Sequence, residues 1–411
     1  MIATQKMALV LILACLIMFF CSGINAQSKT KVGEKVWEFS AAENMVPPVF
    51  LDGKIYAGNS KVIYRLDAQT GKKLSEFKVA VKQPIISLLP DNNRLYSWGW
   101  GMRENAKNVT IEICCFDIKT GKRIWGYEGP AGTRGAPAPI GPALYKEKLF
   151  IPGGCSAEPG GFTCLDAKTG NVLWQDKDLG VIQSAPVIYN DFIYVTTVCP
   201  LNTIRCYKIA KKDTFDLEVL WDFPKDPTTS HCENSVSAYK NIIYRFGTHL
   251  SRFDLTAQER EPKVTEFGML WRLISVQAAL AQDAEKLYVS SAKELYLLNK
   301  TDEQKDSCCF SPGGKLSFPA VAGGKIYAGC ENNNLYCVDA KTGNKIWECA
   351  CEDLNSEGNK KVSAPILAKG KVYLTGGKKI YCIESGDPKA DGWHMEGGGP
   401  ERGGYNRNEV K

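Results

Sequence analysis

Beyond the first 26 residues the chain alternates apolar and polar positions in runs of about five, each bounded by Gly, Asn or Asp, as half-buried strands do. No stretch of helical period interrupts them. The clearest unit is residues 325–349, KIYAGCENNNLYCVDAKTGNKIWEC: two apolar strands about a turn, then Asp339-Ala-Lys-Thr-Gly343 and a third strand carrying Trp347. The Thr-Gly turn returns at Thr70-Gly71, Thr120-Gly121 and Thr169-Gly170. Aligned on the first strand, eight copies appear: Ile55-Tyr56, Leu95-Tyr96, Leu149-Phe150, Ile193-Tyr194, Ile243-Tyr244, Leu287-Tyr288, Ile326-Tyr327 and Val372-Tyr373. Their spacings are 40, 54, 44, 50, 44, 39 and 46 residues, the length of one four-stranded blade.

The pattern predicts an all-β fold, an eight-bladed β-propeller of four-stranded antiparallel blades. Gly33-Glu-Lys-Val-Trp37-Glu-Phe39 repeats the text of the outer strand Gly343-Asn-Lys-Ile-Trp347-Glu-Cys349 before any complete repeat has begun. It is therefore expected to join the last blade and close the ring, which leaves only short, protected edges. Trp37, Trp125, Trp174, Trp221, Trp271 and Trp347 form one outer-strand column, read as packing. Asp117, Asp166 and Asp339 accept hydrogen bonds from their own turns in this reading, and each turn offers too few oxygens to hold calcium.

Residues 1–26 have a different task. Lys6, the apolar run from Met7 to Cys21, and Ser22-Gly-Ile-Asn-Ala26 read as a cleaved export signal, ahead of a propeller over 27–395 and a flexible tail over 396–411. The mature chain is expected in the bacterial periplasm or an equivalent extracytoplasmic compartment, with no stable membrane insertion. The net charge of +6 is scattered among acidic residues. Neither a basic face nor interleaved stacking aromatics point to nucleic acid.

Fourteen of the sixteen cysteines follow the leader, in a compartment that permits disulfides. Cys330 and Cys337 would face each other across an Asn333-Asn334 hairpin, Cys199 and Cys206 repeat that offset, and Cys155 and Cys164 form a looser analogue. Cβ atoms of opposed strand residues lie about 4.5–5.5 Å apart and disulfides need roughly 3.5–4.5 Å, so modest adjustment closes each bond. Cys115, Cys164, Cys206, Cys337 and Cys382 also share one position, two before the turn Asp or its equivalent, which argues for a packing site of cysteine size. Cys349-Ala-Cys351 and Cys232 have no assigned role. His231-Cys232-Glu233 alone makes neither a metal site nor a nucleophile with its base, and no Cys-x-x-Cys-His appears for covalent haem.

Asp166-Ala-Lys-Thr-Gly170-Asn-Val-Leu-Trp174 and Asp339-Ala-Lys-Thr-Gly343-Asn-Lys-Ile-Trp347 resemble the repeat of the pyrroloquinoline-quinone (PQQ) type propeller superfamily, from about Gly33 to Trp393. The resemblance implies eight blades, and it embraces quinoprotein dehydrogenases as well as noncatalytic propellers of the outer-membrane barrel assembly machinery. The dehydrogenases carry a disulfide between adjacent cysteines beside the quinone, which Cys114-Cys115 matches superficially. No coherent set of catalytic Asp, calcium ligands and quinone-floor Trp can be carried over, so no catalytic, cofactor or metal residue is assigned.

The expectation is an exported, noncatalytic scaffold that binds a protein partner in an envelope or periplasmic complex. Irregular loops containing Trp98, Trp100, Arg103, Arg134 and His231 are the candidate contacts, since aromatic and Arg side chains dominate interfaces. One alternative is a propeller subunit beside haem-containing subunits, as in hydrazine synthase. The other is a dehydrogenase using PQQ with calcium.

Overall fold

The computed structural model describes residues 30–391 except 103–108, 133–140, 154–160, 178, 180, 183–184, 200–202, 211–214, 224–234, 240, 247–249, 256–261, 268–278, 284, 291–292, 301–307 and 355–361. The described residues from Val32 onward build eight antiparallel sheets. Blade 7 is typical: Ala320–Ala322, Lys325–Gly329, Asn334–Asp339 and Lys345–Ala350 pair in chain order. In blade 8, Lys35–Ser40 pairs with Lys379–Glu384, so the amino-terminal strand completes the final sheet as expected. The ring closes where Val49–Leu51, the first strand of blade 1, touches the first strands of blade 8, Ile366–Ala368, and of blade 2, Ile85–Asp91.

Each latch between blades starts from one row of residues. Tyr96, Cys115 and Trp125 stand directly opposite one another across blade 2. The same row is Phe150–Cys164–Trp174, Tyr194–Cys206–Trp221, Tyr327–Cys337–Trp347 and Tyr373–Cys382–Trp37 in blades 3, 4, 7 and 8. A cysteine in the middle is small enough to let the flanking rings approach; Tyr96 and Trp125 are 5.9 Å apart, as are Tyr327 and Trp347. Just before the Trp, the outer strand bulges at Val36, Ile124, Leu173, Leu220 and Ile346, each left unpaired between two matched neighbours. The bulge re-aims the ring and roughens an edge that would otherwise invite further strands.

Thus aimed, the Trp lies on the turn of the next blade. A methyl added at Gly170 would stand 2.6 Å from the Trp125 ring, and its φ of +77° already excludes most side chains. The Trp125 indole N–H and the Tyr96 hydroxyl both donate to the Ala167 carbonyl, at 3.2 and 3.0 Å. Trp37 and Tyr373 share the Ala68 carbonyl in the same way. Blade 6 lacks the Trp: Cys309 covers Gly343, and the Lys286 ammonium donates to the Ala340 and Lys341 carbonyls. Blade 1 has Ser75 at the Trp position, and the outer strand of blade 5, Lys263–Phe267, puts Thr265 where Trp271 was expected; Trp271 itself lies outside the described residues.

The turns hold as the sequence suggests. Asp339 Oδ1 accepts from the Thr342 amide at 2.7 Å, the Thr342 hydroxyl at 2.8 Å and the Lys341 amide at 3.0 Å. Those bonds, led by the Thr342 hydroxyl, keep its carboxyl below the usual range, and Asp67 and Asp117 are lowered likewise by Thr70 and Thr120. At the same end, Lys54, Arg94, Lys148 and Lys325 stand opposite Asp67, Asp117, Asp166 and Asp339, so opposite charges face each other in blades 1, 2, 3 and 7.

Candidate interaction face

Strand direction divides the propeller ends into two kinds. At one end lie the Asp-Thr-Gly turns just described, nearly identical in blades 1, 2, 3 and 7. At the other end second strands finish, third strands begin, and outer strands hand over to the next blade. In blades 1 and 8 this end is plain: Gly58 and Val62, or Gly376 and Lys379, bracket a short hairpin.

Blades 2, 3 and 4 carry more chain there. The strands Arg94–Met102, Val109–Asp117 and Arg123–Gly132 of blade 2 pair along their whole length, whereas blade 7 stops at rungs equivalent to Trp98 and Glu112. About four extra residues per strand, at roughly 3.3 Å each, lift this blade some 13 Å beyond its neighbours. In blade 3 the second strand ends at Pro152 and the third starts at Phe162; in blade 4 the second strand runs on to Cys199 and gathers Val181–Ile182.

A buried carboxylate anchors the projection. Glu112 is 2 % exposed, and its Oε2 accepts from the Lys82 and Gln83 amides at 2.6 and 2.8 Å. The Arg123 guanidinium stands 3.8 Å from Oε1, and Lys82 Nζ pairs with Glu128, the residue directly opposite Glu112. The chain connecting blades 1 and 2 lies flat on this face because Gly99 and Gly101 have no side chains; a methyl at Gly99 would meet the Pro84 carbonyl oxygen at 2.2 Å. The opposite face carries Trp98, Trp100, Ile111 and Ile113 against blade 3.

The sequence-predicted residues divide accordingly. Trp98, expected on an irregular loop, stands in the strand Arg94–Met102, only 1 % exposed, and is core rather than contact. Trp100 is half-buried in the projecting rungs. Arg103, Arg134 and His231 lie outside the described residues, in connections whose flanking strands end at this same face.

The register separates the cysteines of two expected disulfides, Cys330–Cys337 and Cys199–Cys206. Cys330 donates its amide to the Asn334 carbonyl and Cys337 stands opposite Tyr327, three rungs from the predicted pairing, because the turn is centred on Asn332 rather than between Asn333 and Asn334, with Asn333 at φ +64°. Cys206 faces Tyr194 while Cys199 pairs with Val181, and Cys164 faces Phe150 and Trp174; Cys155 lies outside the described residues. Cys164, Cys206, Cys330 and Cys337 are all free, buried thiols. Burial pushes the thiols of Cys206, Cys337 and Cys382 up to about 12, so they stay protonated and unreactive.

A quinone with calcium does not fit the described residues. Strand alternation sends Cys115 against Tyr96 and Trp125, and Cys114 to the other face, 3.4 Å from Glu112, so the adjacent pair presents no joint surface. Both are free, and burial raises both to about 12. Among the described residues, no three His, Cys, Asp or Glu side chains converge as a metal site requires.

Eight antiparallel blades, with aromatic rings seated on the Thr-Gly turns at Gly71, Gly121 and Gly170, define a propeller of the PQQ-like repeat type. The family model described as outer membrane protein assembly factor BamB matches residues 24–197, 146–348 and 315–402, and the chain belongs to that family. Among solved structures, BamB from Moraxella catarrhalis has a TM-score of 0.59 at 13% identity, over 85% of this chain and 97% of that one. The computationally designed Ika8 protein has 0.63 at 13% identity, over 86% and 100%. Quinohemoprotein alcohol dehydrogenase from Comamonas testosteroni has 0.57 at 13% identity, over 89% and 78%. At these identities the likeness is one of fold. No curated protein matches the chain by sequence. The family agrees with the extracytoplasmic location expected from the leader, and no helix among the described residues is long and apolar enough to cross a membrane.

Proposed function

We propose that the protein is an exported, noncatalytic scaffold that holds another protein of an envelope complex on the connection face, at blades 2 to 4. The observation that carries this reading is the contrast between the two ends. In blades 1, 2, 3 and 7 the turn end is held by repeated Asp and Thr bonds, whereas the opposite end carries the projecting rungs of blade 2, and binding residues gather on such departures above a rigid frame. Among the described residues, Glu112 binds amides and the column cysteines separate rings. The family described as an outer membrane assembly factor supports a partner within the envelope.

Native isolation with gentle crosslinking, followed by mass spectrometry, tests the reading. A reproducible protein partner is expected, and recovery of haem-bearing partners would place the scaffold in a redox complex. Specific substrate turnover by the isolated monomer, or its saturable binding of PQQ with calcium, would overturn it.

A further inference from the structure

We propose that the rim of the turn end, along blades 7, 8 and 1 to 4, is a peripheral docking surface for a membrane that carries anionic phospholipid. Among the described residues, the large aliphatic side chains left exposed are Val32, Leu74, Ile124, Val172, Val219 and Ile346, each between 45 % and 52 %. All six lie at the turn end. Leu74, Ile124 and Ile346 come three residues after their turn glycines, and Val172 comes two after Gly170. Val219 stands at the third rung of the outer strand of blade 4, and a methyl at Gly386 would lie 2.6 Å from Val32 at the matching point of blade 8. In blades 2 and 7 the cause is the bulge: turning Trp125 and Trp347 onto the next blade leaves the unpaired Ile124 and Ile346 facing solvent. Single exposed aliphatics need no explanation. Six at the same end of six consecutive blades form an interrupted apolar rim.

The same rim is basic. Lys72, Lys119, Lys122 and Lys341 stand exposed on the turns themselves, and none of the four joins an ion pair among the described residues. Lys73, Lys168 and Lys345 nearby are paired with Glu76, Glu147 and Glu348. The turn aspartates do not cancel the four, since Asp67, Asp117 and Asp339 are bonded within their own turns and face Lys54, Arg94 and Lys325 across the blade. In blades 1 to 3 the other acids of this end, Asp52, Asp91 and Glu147, lie where first strands turn into second ones, inward of the rim. Along the chain the lysines look scattered, because a blade's length of sequence separates one turn from the next. The repeat gathers them at one end.

An occupant that meets this rim has to be broad and negatively charged, with an apolar layer within a side chain's reach. The contacts sit on separate blades, so a small ligand would touch one of them and a surface would touch several. An anionic bilayer has all three properties. Peripheral binding combines apolar surface buried at the headgroup boundary with attraction between basic side chains and anionic lipid. Here the two are interleaved: Lys72 and Lys73 precede Leu74, and Lys122 and Arg123 precede Ile124. Held in this way, the propeller keeps the connection face of blades 2 to 4 away from the lipid and open to a protein.

Co-sedimentation of the purified mature chain with lipid vesicles tests the surface and needs no protein partner, so its outcome is separate from that of the scaffold reading. Binding is expected to vesicles containing about one third phosphatidylglycerol and not to phosphatidylcholine alone, and it should fall at least about tenfold as sodium chloride rises from roughly 0.05 to 0.5 M. Each lysine beside an anionic surface is worth about fivefold, so Lys72→Gln/Lys122→Gln should weaken binding at least about tenfold. Lys78→Gln/Lys177→Gln removes the same charge from the far ends of outer strands and should change it less than about twofold. Leu74→Ser/Ile124→Ser should weaken it about fivefold through lost apolar contact. On vesicles, Lys72, Lys119, Lys122 and Lys341 should be protected from acetic anhydride while Lys61 stays reactive. Equal binding to both vesicle types, equal losses in the two lysine pairs, or wild-type binding by Leu74→Ser/Ile124→Ser would overturn the surface. Protection of the turn-face lysines in the lipid-free chain would do the same, since a second copy would then be seated there.

Discussion

A side chain in this protein is best understood by what lies across the next blade. Trp125→Ala removes a ring from Gly170 and a donor from the Ala167 carbonyl, and is expected to cost about 3–5 kcal/mol by denaturant unfolding. Trp125→Phe keeps most of the apolar contact and should cost about 1 kcal/mol for the hydrogen bond. Lys300 supplies a pH signature. Burial, opposed by Asp283, lowers its ammonium to about 8, though it donates to the Asp283 carbonyl and lies 5.6 Å from the Tyr244 ring centroid. Above that value the folded chain has released a proton that the unfolded chain still holds, so stability rises as pH climbs from about 8 toward the ordinary lysine range near 10.4. Lys300→Met should flatten that rise relative to wild type in urea midpoints measured across the window. At this scale the sequence revealed the positions of Trp37, Trp125, Trp174, Trp221 and Trp347 and a site of cysteine size, since both recur in the repeat, although Trp271 was placed in a column position that Thr265 holds. It could not supply the disulfide register, because one left-handed residue, Asn333, displaces Cys330 and Cys337 by three rungs.

Among elements, blade 2 departs most from the common frame, and its extra rungs depend on Glu112. Glu112→Ala leaves the Lys82 and Gln83 amides and Arg123 without their acceptor inside the sheet, at an expected cost of about 3 kcal/mol. Hydrogen exchange should localise the loosening to 81–85, 99–102 and 109–112, with blades 7 and 8 unaltered. Little of this was visible beforehand. The Trp-Gly-Trp-Gly run suggested an irregular loop, whereas the glycines are ladder residues whose missing side chains admit a neighbouring connection. Glu112 sits alone in an apolar strand, and only the fold brings two amides to it. The bulges carry a clearer signal, an aliphatic residue immediately before each aligned Trp, although their meaning as aiming devices needs the pairing.

The molecule as a whole is a ring closed by its first strand, a feature legible because residues 33–39 repeat outer-strand text out of place. Removing residues 33–40 uncovers Lys379–Glu384 and the Gly71 turn; circular dichroism melts of that variant should begin at lower temperature and lose cooperativity as blade 8 opens. A frame whose turns repeat in blades 1, 2, 3 and 7, with longer connections at the other end, suits a scaffold, since the repeated turns preserve the ring while connections change to meet a partner. The lysines report which end is used. Lys61 and Lys82 lie exposed at the connection face, and Lys72, Lys122 and Lys341 lie exposed at the turn face. Crosslinking the native complex and mapping the linked lysines is therefore the most direct measurement. Links from the partner to Lys61 or Lys82, with the turn-face lysines unlinked, are predicted; links confined to Lys72, Lys122 and Lys341 would contradict the account.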